Sequence, residues 1–317
     1  MHKVRAAGSK GLGVFATKLI PRGTRIFAER PIFGIRNGQG PKDIYPAFLA
    51  LNHADRATVL GLSSHATHRL EFLRWVHVAR YTLSSWTAPS ITSLREHKTL
   101  LNVFRSNAFS LNADSEYAQA IFPRIARLNH ECVPNAQANF NDQANAMHVH
   151  TLRDVQPHEE ITLSYLDDSG EMKTLDRQQK LESYGFVCAC PICAEGQPSA
   201  SDSAKRRQAI DRVMESLSER VSQQETQASR SHELEALMEI IELMRAEGLV
   251  GRELAARYFA AAEWHMELGD LQGAVVCATK GLEIDQYALG EDHETYVQNQ
   301  AKVAGYTEAL AAMGART

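Results

Sequence analysis

Short β-rich runs broken by turns occupy the first 35 residues. Gly-Val-Phe-Ala (13–16) and the run from Thr24 to Glu29 hold β-branched and aromatic residues, with Pro21-Arg-Gly23 as the turn between them. Residues 36–43 form a Gly/Pro/Asn loop, and after it the apolar spacing becomes helical. Phe72, Val76, Ala79 and Leu83 recur at that spacing, broadened by Leu70, Leu73 and Trp75, so a helical insert is predicted from about 43 to 105. Strand character returns at 136–140, at 147–152 and most clearly at 161–166, and 173–183 read as a short helix ending before Gly185. A polar run from Glu195 to Ser203 then reads as a linker that ends on Ser203 as a helix N-cap. Beyond it Ile210, Val213, Leu217 and Val221 mark one apolar helical face, and Leu234, Leu237, Ile241 and Met244 another. The pattern predicts an α+β unit over 1–193, a linker at 194–203 and an all-α unit over 204–317.

The 317 residues suit about two domains at ~150 residues each. Hydrophobic residues at 44% and charged residues at 23% are an ordinary globular balance. No window approaches the ~18 consecutive apolar residues of a membrane span. The start, Met1-His-Lys-Val-Arg5, lacks the apolar stretch of a secretory signal. With a net charge of −4 the chain has no global positive field, so direct nucleic-acid binding is not expected. These features point to an intracellular protein of the nucleus, the cytoplasm or both. Residues 261–285, with Leu268-Gly-Asp270 and Leu282-Glu-Ile-Asp285, resemble the later half of a tetratricopeptide repeat. Helices of that type often bind partners.

Cysteine placement is uneven. Cys188, Cys190 and Cys193 fall within six residues, and Pro191 favours a turn among them. Three thiols so close can converge on one ion, whereas tetrahedral zinc takes four ligands. Cys132, 56 positions before Cys188, is the natural fourth, with His130 as the alternative ligand. A loose tail of unpaired thiols would be the plain explanation, but spacing this tight seldom serves packing alone. Cys277, on an apolar helical stretch, reads as a small core residue.

Three further features are weak singly. Lys10-Gly-Leu-Gly13 lies between two strands, which excludes a Rossmann turn but allows close approach of a ligand to backbone. Arg127-Leu-Asn-His-Glu-Cys-Val-Pro-Asn135 sets an amide and an imidazole beside a candidate metal thiolate, and Glu159-Glu-Ile-Thr-Leu-Ser-Tyr165 is an apolar strand with Tyr165 near its end. Tyr184-Gly-Phe186 leads directly into the cysteine cluster.

In this order the motifs resemble the SET domain, the fold of a large class of protein lysine methyltransferases, and most closely its SET-MYND branch with fungal relatives. The resemblance implies a β-rich SET domain with a helical insert, a zinc-bound post-SET segment at 184–193 and a helical, tetratricopeptide-like C-terminal domain. It implies S-adenosylmethionine as methyl donor and a lysine of a histone or non-histone protein as acceptor. Tyr165 is implied as the catalytic residue. Lys10, Gly11, Leu12, Gly13, Asn107, Asn129, His130 and Phe186 are implied at the cofactor, Tyr184 at the lysine channel, and Cys132, Cys188, Cys190 and Cys193 on one structural zinc. Residues 33–131 contain no cysteine, so the MYND finger is expected to be absent, and Ala126 stands where many SET proteins carry arginine. A catalytically inactive scaffold acting through the C-terminal helices is the alternative from another class.

Overall fold

The computed structural model describes residues 1–65, 72–76, 78–79, 91–112, 115–166, 174–194, 197–220 and 227–314. The strands are β1 (His2–Ala6), β2 (Leu12–Ala16), β3 (Arg25–Glu29), β4 (Phe33–Ile35), β5 (Ala108–Ser110), β6 (Gln119–Ile121), β7 (Asn129–His130), β8 (Ala136–Asn141), β9 (Ala146–Thr151) and β10 (Glu160–Leu163). The helices are α1 (Pro41–Leu49), α2 (His53–Leu60), α3 (Ile91–Asn107), α4 (Thr174–Glu182), α5 (Pro198–Arg220), α6 (Gln227–Glu247), α7 (Arg252–Glu267), α8 (Leu271–Ala288) and α9 (Glu294–Gly314). None of them is long and apolar enough to cross a membrane.

The strands form three small sheets, in the orders β1-β2-β10-β7, β3-β9-β8 and β4-β6-β5. The first matters most for function. β2 runs antiparallel to β10, with Val14 opposite Ile161, and β7 runs parallel to β10, with Asn129 opposite Thr162 and His130 opposite Leu163. The glycine turn, the Asn-His pair and the strand before Tyr165 are therefore neighbours in space. Val14, Phe122, Ile125, Val149 and Ile161 close a core between the sheets, the face that apolar strand positions must bury.

The insert contributes α1, α2 and α3, whose Phe48, Leu100, Leu101 and Phe104 pack on Phe33 and Ile35. Residues 72–76 and 78–79 are helical, as the spacing predicts, but the expected face is not covered. Phe72 is 68% exposed and Leu73, Trp75 and Val76 are also exposed, while Val78 is the one of these that enters the core. Lys98 lies over the Trp75 ring at 5.1 Å, a partial cover that a long side chain can provide. Leu70 and Leu83 lie outside the described residues.

The expected start of the C-terminal helices is corrected. Helix α5 begins at Pro198, a first-turn position where a missing N–H costs nothing. Ser203 is not its cap: it sits inside the helix, fully buried, and its hydroxyl donates to the Glu247 carboxylate. A serine mid-helix is tolerated when a facing element supplies such a partner, which local polarity cannot reveal. Ile210, Leu237, Ile241 and Met244 are buried as predicted, and Cys277 joins them in the helical core.

The helical half docks on β8. Alternate residues of that strand share a face, and here they are amides. Gln137 donates to Glu253, Asn139 to the Ala288 carbonyl at 3.1 Å and Asn141 to the Asp292 carbonyl at 3.1 Å.

Candidate active site and metal centre

Gly11 has φ 79°, a left-handed conformation that glycine adopts without strain. Gly13 is required for a different reason. A Cβ there would lie 2.4 Å from Glu160 Oε1 and 2.8 Å from Asn129 Nδ2. Asn129 Nδ2 donates to the Leu12 carbonyl at 3.0 Å and to Glu160 Oε1 at 2.7 Å, and Lys10 Nζ reaches Glu160 Oε2 at 2.9 Å. Lys10, Leu12, Gly13 and Asn129 are thus assembled around Glu160, a residue without an expected role. Asn135 is a second such residue. Fully buried, it accepts from the Thr162 N–H at 2.9 Å and donates to the Glu160 carbonyl at 2.8 Å, so one side chain pins the loop to β10.

The Tyr165 hydroxyl donates to the Leu128 carbonyl at 2.7 Å, and its backbone N–H donates to His130 Nδ1 at 3.0 Å. Tyr184 lies 5.1 Å and Phe186 6.3 Å from the Tyr165 ring, centroid to centroid. Burial, then the neighbouring Tyr184 and Glu160, raise the Tyr165 phenol above its usual value, so it is neutral near pH 7. The ring faces a cavity of about 600 Å³ whose wall also includes Asn107, Leu128 and Tyr184. Asn107 ends α3, and its Nδ2 is held by the Ser63 and Val103 carbonyls at 2.6 and 2.7 Å. It belongs to the Tyr165 cavity, whereas Lys10 to Gly13 lie across β10.

Cys132, Cys188, Cys190 and Cys193 present four sulfurs all within 4.8 Å of one another, a donor set suited to tetrahedral zinc. Hydrogen bonds from Cys132 and Cys188 hold Cys190 and Cys193 below the ordinary thiol value, Cys193 at about 7. His130 does not join the set. Its Nδ1 accepts from Tyr165, which leaves a proton on Nε2 for Cys132 Sγ at 3.3 Å. Burial lowers this imidazole to about 4, keeping it neutral. Gln178 clamps Cys188 through both backbone groups at 2.9 and 3.0 Å. The buried Arg177 places Nη2 3.7 Å from Cys193 Sγ, a cation beside a thiolate-rich site. Arg207, 1% exposed, donates to the Cys132 carbonyl at 2.9 Å and to Glu247 at 2.6 Å, tying the metal loop to the helical half. No short-range sequence signal marks Arg177, Arg207 or Glu247, because their partners are distant in the chain.

Comparison with known proteins identifies this arrangement. The SET-domain family matches residues 11–166, which span the glycine turn, the Asn-His loop and Tyr165. The chain carries a SET domain. Over 314 residues it is 28% identical to the histone-lysine N-methyltransferase set5 of Schizosaccharomyces pombe, covering 97% of this chain and 84% of that protein. Over 67 residues it is 43% identical to the human protein-lysine N-trimethyltransferase SMYD5, covering 20% of this chain and 16% of that protein. A putative SET domain-containing protein of Acanthamoeba polyphaga mimivirus, L678, is 28% identical over 202 residues, or 58% of this chain and 74% of that protein. The SET domain and helical region of this chain are thus shared almost end to end with a relative named as a lysine methyltransferase.

Proposed function

We propose that the chain transfers a methyl group from S-adenosylmethionine to the side-chain amine of a lysine in a protein substrate. The observation that carries this reading is the Tyr165 hydroxyl at the wall of a cavity, bonded to the carbonyl of Leu128, the residue next to Asn129, whose side chain meets the Leu12 carbonyl beside Gly13. Bound in that cleft, S-adenosylmethionine would supply an electrophilic methyl on a sulfonium. The fit is chemical. Gly11 has open space where a Cβ would stand, Leu12 exposes apolar surface, and Lys10 with Glu160 offers one charge of each sign for the amino-acid end of the cofactor.

In this reading the backbone from Lys10 to Gly13 and at Asn129 and His130 lines the cofactor cleft, with Phe186 as an aromatic wall. The His130 side chain acts indirectly, linking Tyr165 to Cys132. Tyr184 and Tyr165 form the walls of a lysine channel. An amine entering between them is desolvated, which lowers its pKa and favours the neutral nucleophile. Tyr165, kept neutral, orients that amine and stabilises developing charge rather than serving as a strong base. Holding acceptor and donor in line supplies much of the acceleration. Zinc on Cys132, Cys188, Cys190 and Cys193 would fix the segment carrying Tyr184 and Phe186 to the Asn-His loop.

Calorimetric titration of zinc-loaded protein with S-adenosylmethionine tests the cofactor assignment without knowledge of the substrate. Saturable one-site binding, weakened about tenfold by Asn129→Ala, is expected. Absence of binding by folded, zinc-replete protein would overturn it.

A further inference from the structure

The cavity that holds Tyr165 and Tyr184 does not end at the SET domain. Its wall also includes residues 248–253, which run into the first turn of α7 of the helical half. At about 600 Å³ it lies within the roughly 300–1,000 Å³ of ligand pockets and exceeds what one lysine side chain fills. Among the described residues, its wall carries two charged side chains, Arg252 and Glu253. Arg252 is already neutralised: its Nη1 lies 2.5 Å from Asp285, whose carboxylate is fully buried and also accepts from Asn299 at 2.7 Å. Glu253 has no such partner. Its two oxygens share the Nε2 of Gln137 at 3.2 and 3.3 Å, and no described lysine, arginine or histidine forms an ion pair with it.

The carboxylate is nonetheless held in place. Gln137 Oε1 accepts from the Arg252 N–H at 2.9 Å, which orients the amide so that Nε2 faces Glu253. Gly251 allows this close seating, since a Cβ there would lie 2.6 Å from Gln137 Oε1 and 3.3 Å from Glu253 Oε2. An acid in the first turn of α7 also interacts favourably with the helix dipole. That effect requires no orienting amide and no wall position in the cavity. A half-buried carboxylate, pre-oriented and lacking a counter-charge, is complementary to an ammonium or guanidinium.

We propose that Glu253 is a specificity-determining residue that recognises a second basic side chain, lysine or arginine, on the polypeptide whose lysine reaches Tyr165. The proposal rests on the methyl-transfer reading above and adds a substrate class to it: segments with a second cation near the target lysine. Gln137 positions Glu253 and thereby joins strand β8 to the recognition of substrate.

The test uses synthetic peptides with one central lysine, in which each flanking position is in turn arginine or the neutral isostere citrulline. Labelled methyl transfer gives the ratio of kcat/KM for each arginine–citrulline pair, with the full-length, zinc-loaded protein and its Glu253→Gln and Glu253→Arg variants. The wild type is expected to prefer arginine by about tenfold at one or two positions. That ratio should fall toward one in Glu253→Gln and below one, in favour of citrulline, in Glu253→Arg. The charge-reversed preference also separates lost recognition from lost folding. A wild-type ratio near one throughout, or a ratio that survives Glu253→Gln, overturns the proposal. If the wild type methylates none of the peptides, the methyl-transfer reading is at fault, and Glu253 is judged by fluorescence anisotropy of the same labelled peptides. Preferential binding of arginine peptides that Glu253→Gln abolishes supports its role, and equal binding refutes it.

Discussion

Replacing Glu247 by alanine probes how the helical half is fastened to the metal loop. The Glu247 side chain is fully buried and accepts from Arg207 Nε at 2.6 Å, from Arg206 Nε at 2.8 Å and from Ser203. Arg207 is 1% exposed, so alanine at 247 removes the carboxylate that its buried Nε meets at 2.6 Å. Breaking such a pair costs about 3–5 kcal/mol. Arg206, 30% exposed, adds at most about 1 kcal/mol. Against a typical total of ~5–15 kcal/mol, the loss is large. Urea unfolding of zinc-loaded protein, followed by circular dichroism, measures it. The paired substitution Glu247→Met with Arg207→Met should recover most of the loss, because an apolar pair of similar volume removes both charges together. A Glu247→Ala cost below about 1 kcal/mol would refute the reasoning. The pH dependence has a definite sign. Burial alone would raise the Glu247 carboxylate, but hydrogen bonds from Ser203, Arg207 and Arg206 outweigh it and bring the group below its free value of 4.5. Its contribution is therefore complete above that value and fades as pH falls through the lower folded one. Glu247→Gln should flatten this acid limb.

Other consequences follow from the same contacts. Gly13→Ala drives a Cβ against Glu160 and Asn129, and should cost about 1–3 kcal/mol while weakening S-adenosylmethionine binding. Thermal unfolding and calorimetry read both effects, and wild-type values in each would contradict the packing argument. Cys190→Ser should bring zinc below one ion per chain by atomic emission, and full stoichiometry would remove Cys190 from the ligand set. Arg177→Leu should keep the zinc but release it to a chromophoric chelator about tenfold faster or more, since it deletes the cation beside Cys193. An unchanged release rate would limit Arg177 to packing.

Features encoded within a few residues were legible before the structure. Three cysteines within six positions signal a metal site, and strands β2, β8 and β9 appear near their predicted limits because apolar spacing is local, whereas β10 ends at Leu163 and leaves Tyr165 beyond it. The order of motifs led to Tyr165, Tyr184 and Asn107, which share a cavity, and to Gly13 and Asn129, which touch. What sequence could not supply were partners made by topology. Glu160 gathers Lys10 and Asn129 only because β2 and β7 flank β10. Ser203 reads as a cap by its neighbours, yet its partner Glu247 is 44 positions away. His130 had two readings, metal ligand or backbone contact to cofactor, and the hydrogen bond from Tyr165 turns its ring to Cys132 as a donor, which takes it out of the ligand set. The exposed Phe72 and Trp75 show the converse, a helical period whose face the described structure leaves largely uncovered.

The most direct measurement is mass spectrometry of lysine-containing peptides after incubation with S-adenosylmethionine and either wild-type or Tyr165→Phe protein, with cofactor affinity measured on the same samples. Methyl addition to lysine by the wild type is expected, with a loss of about 100-fold or more in Tyr165→Phe and cofactor affinity within about twofold, because phenylalanine keeps the ring packed on Tyr184 and Phe186. Equal turnover by the two proteins would contradict it.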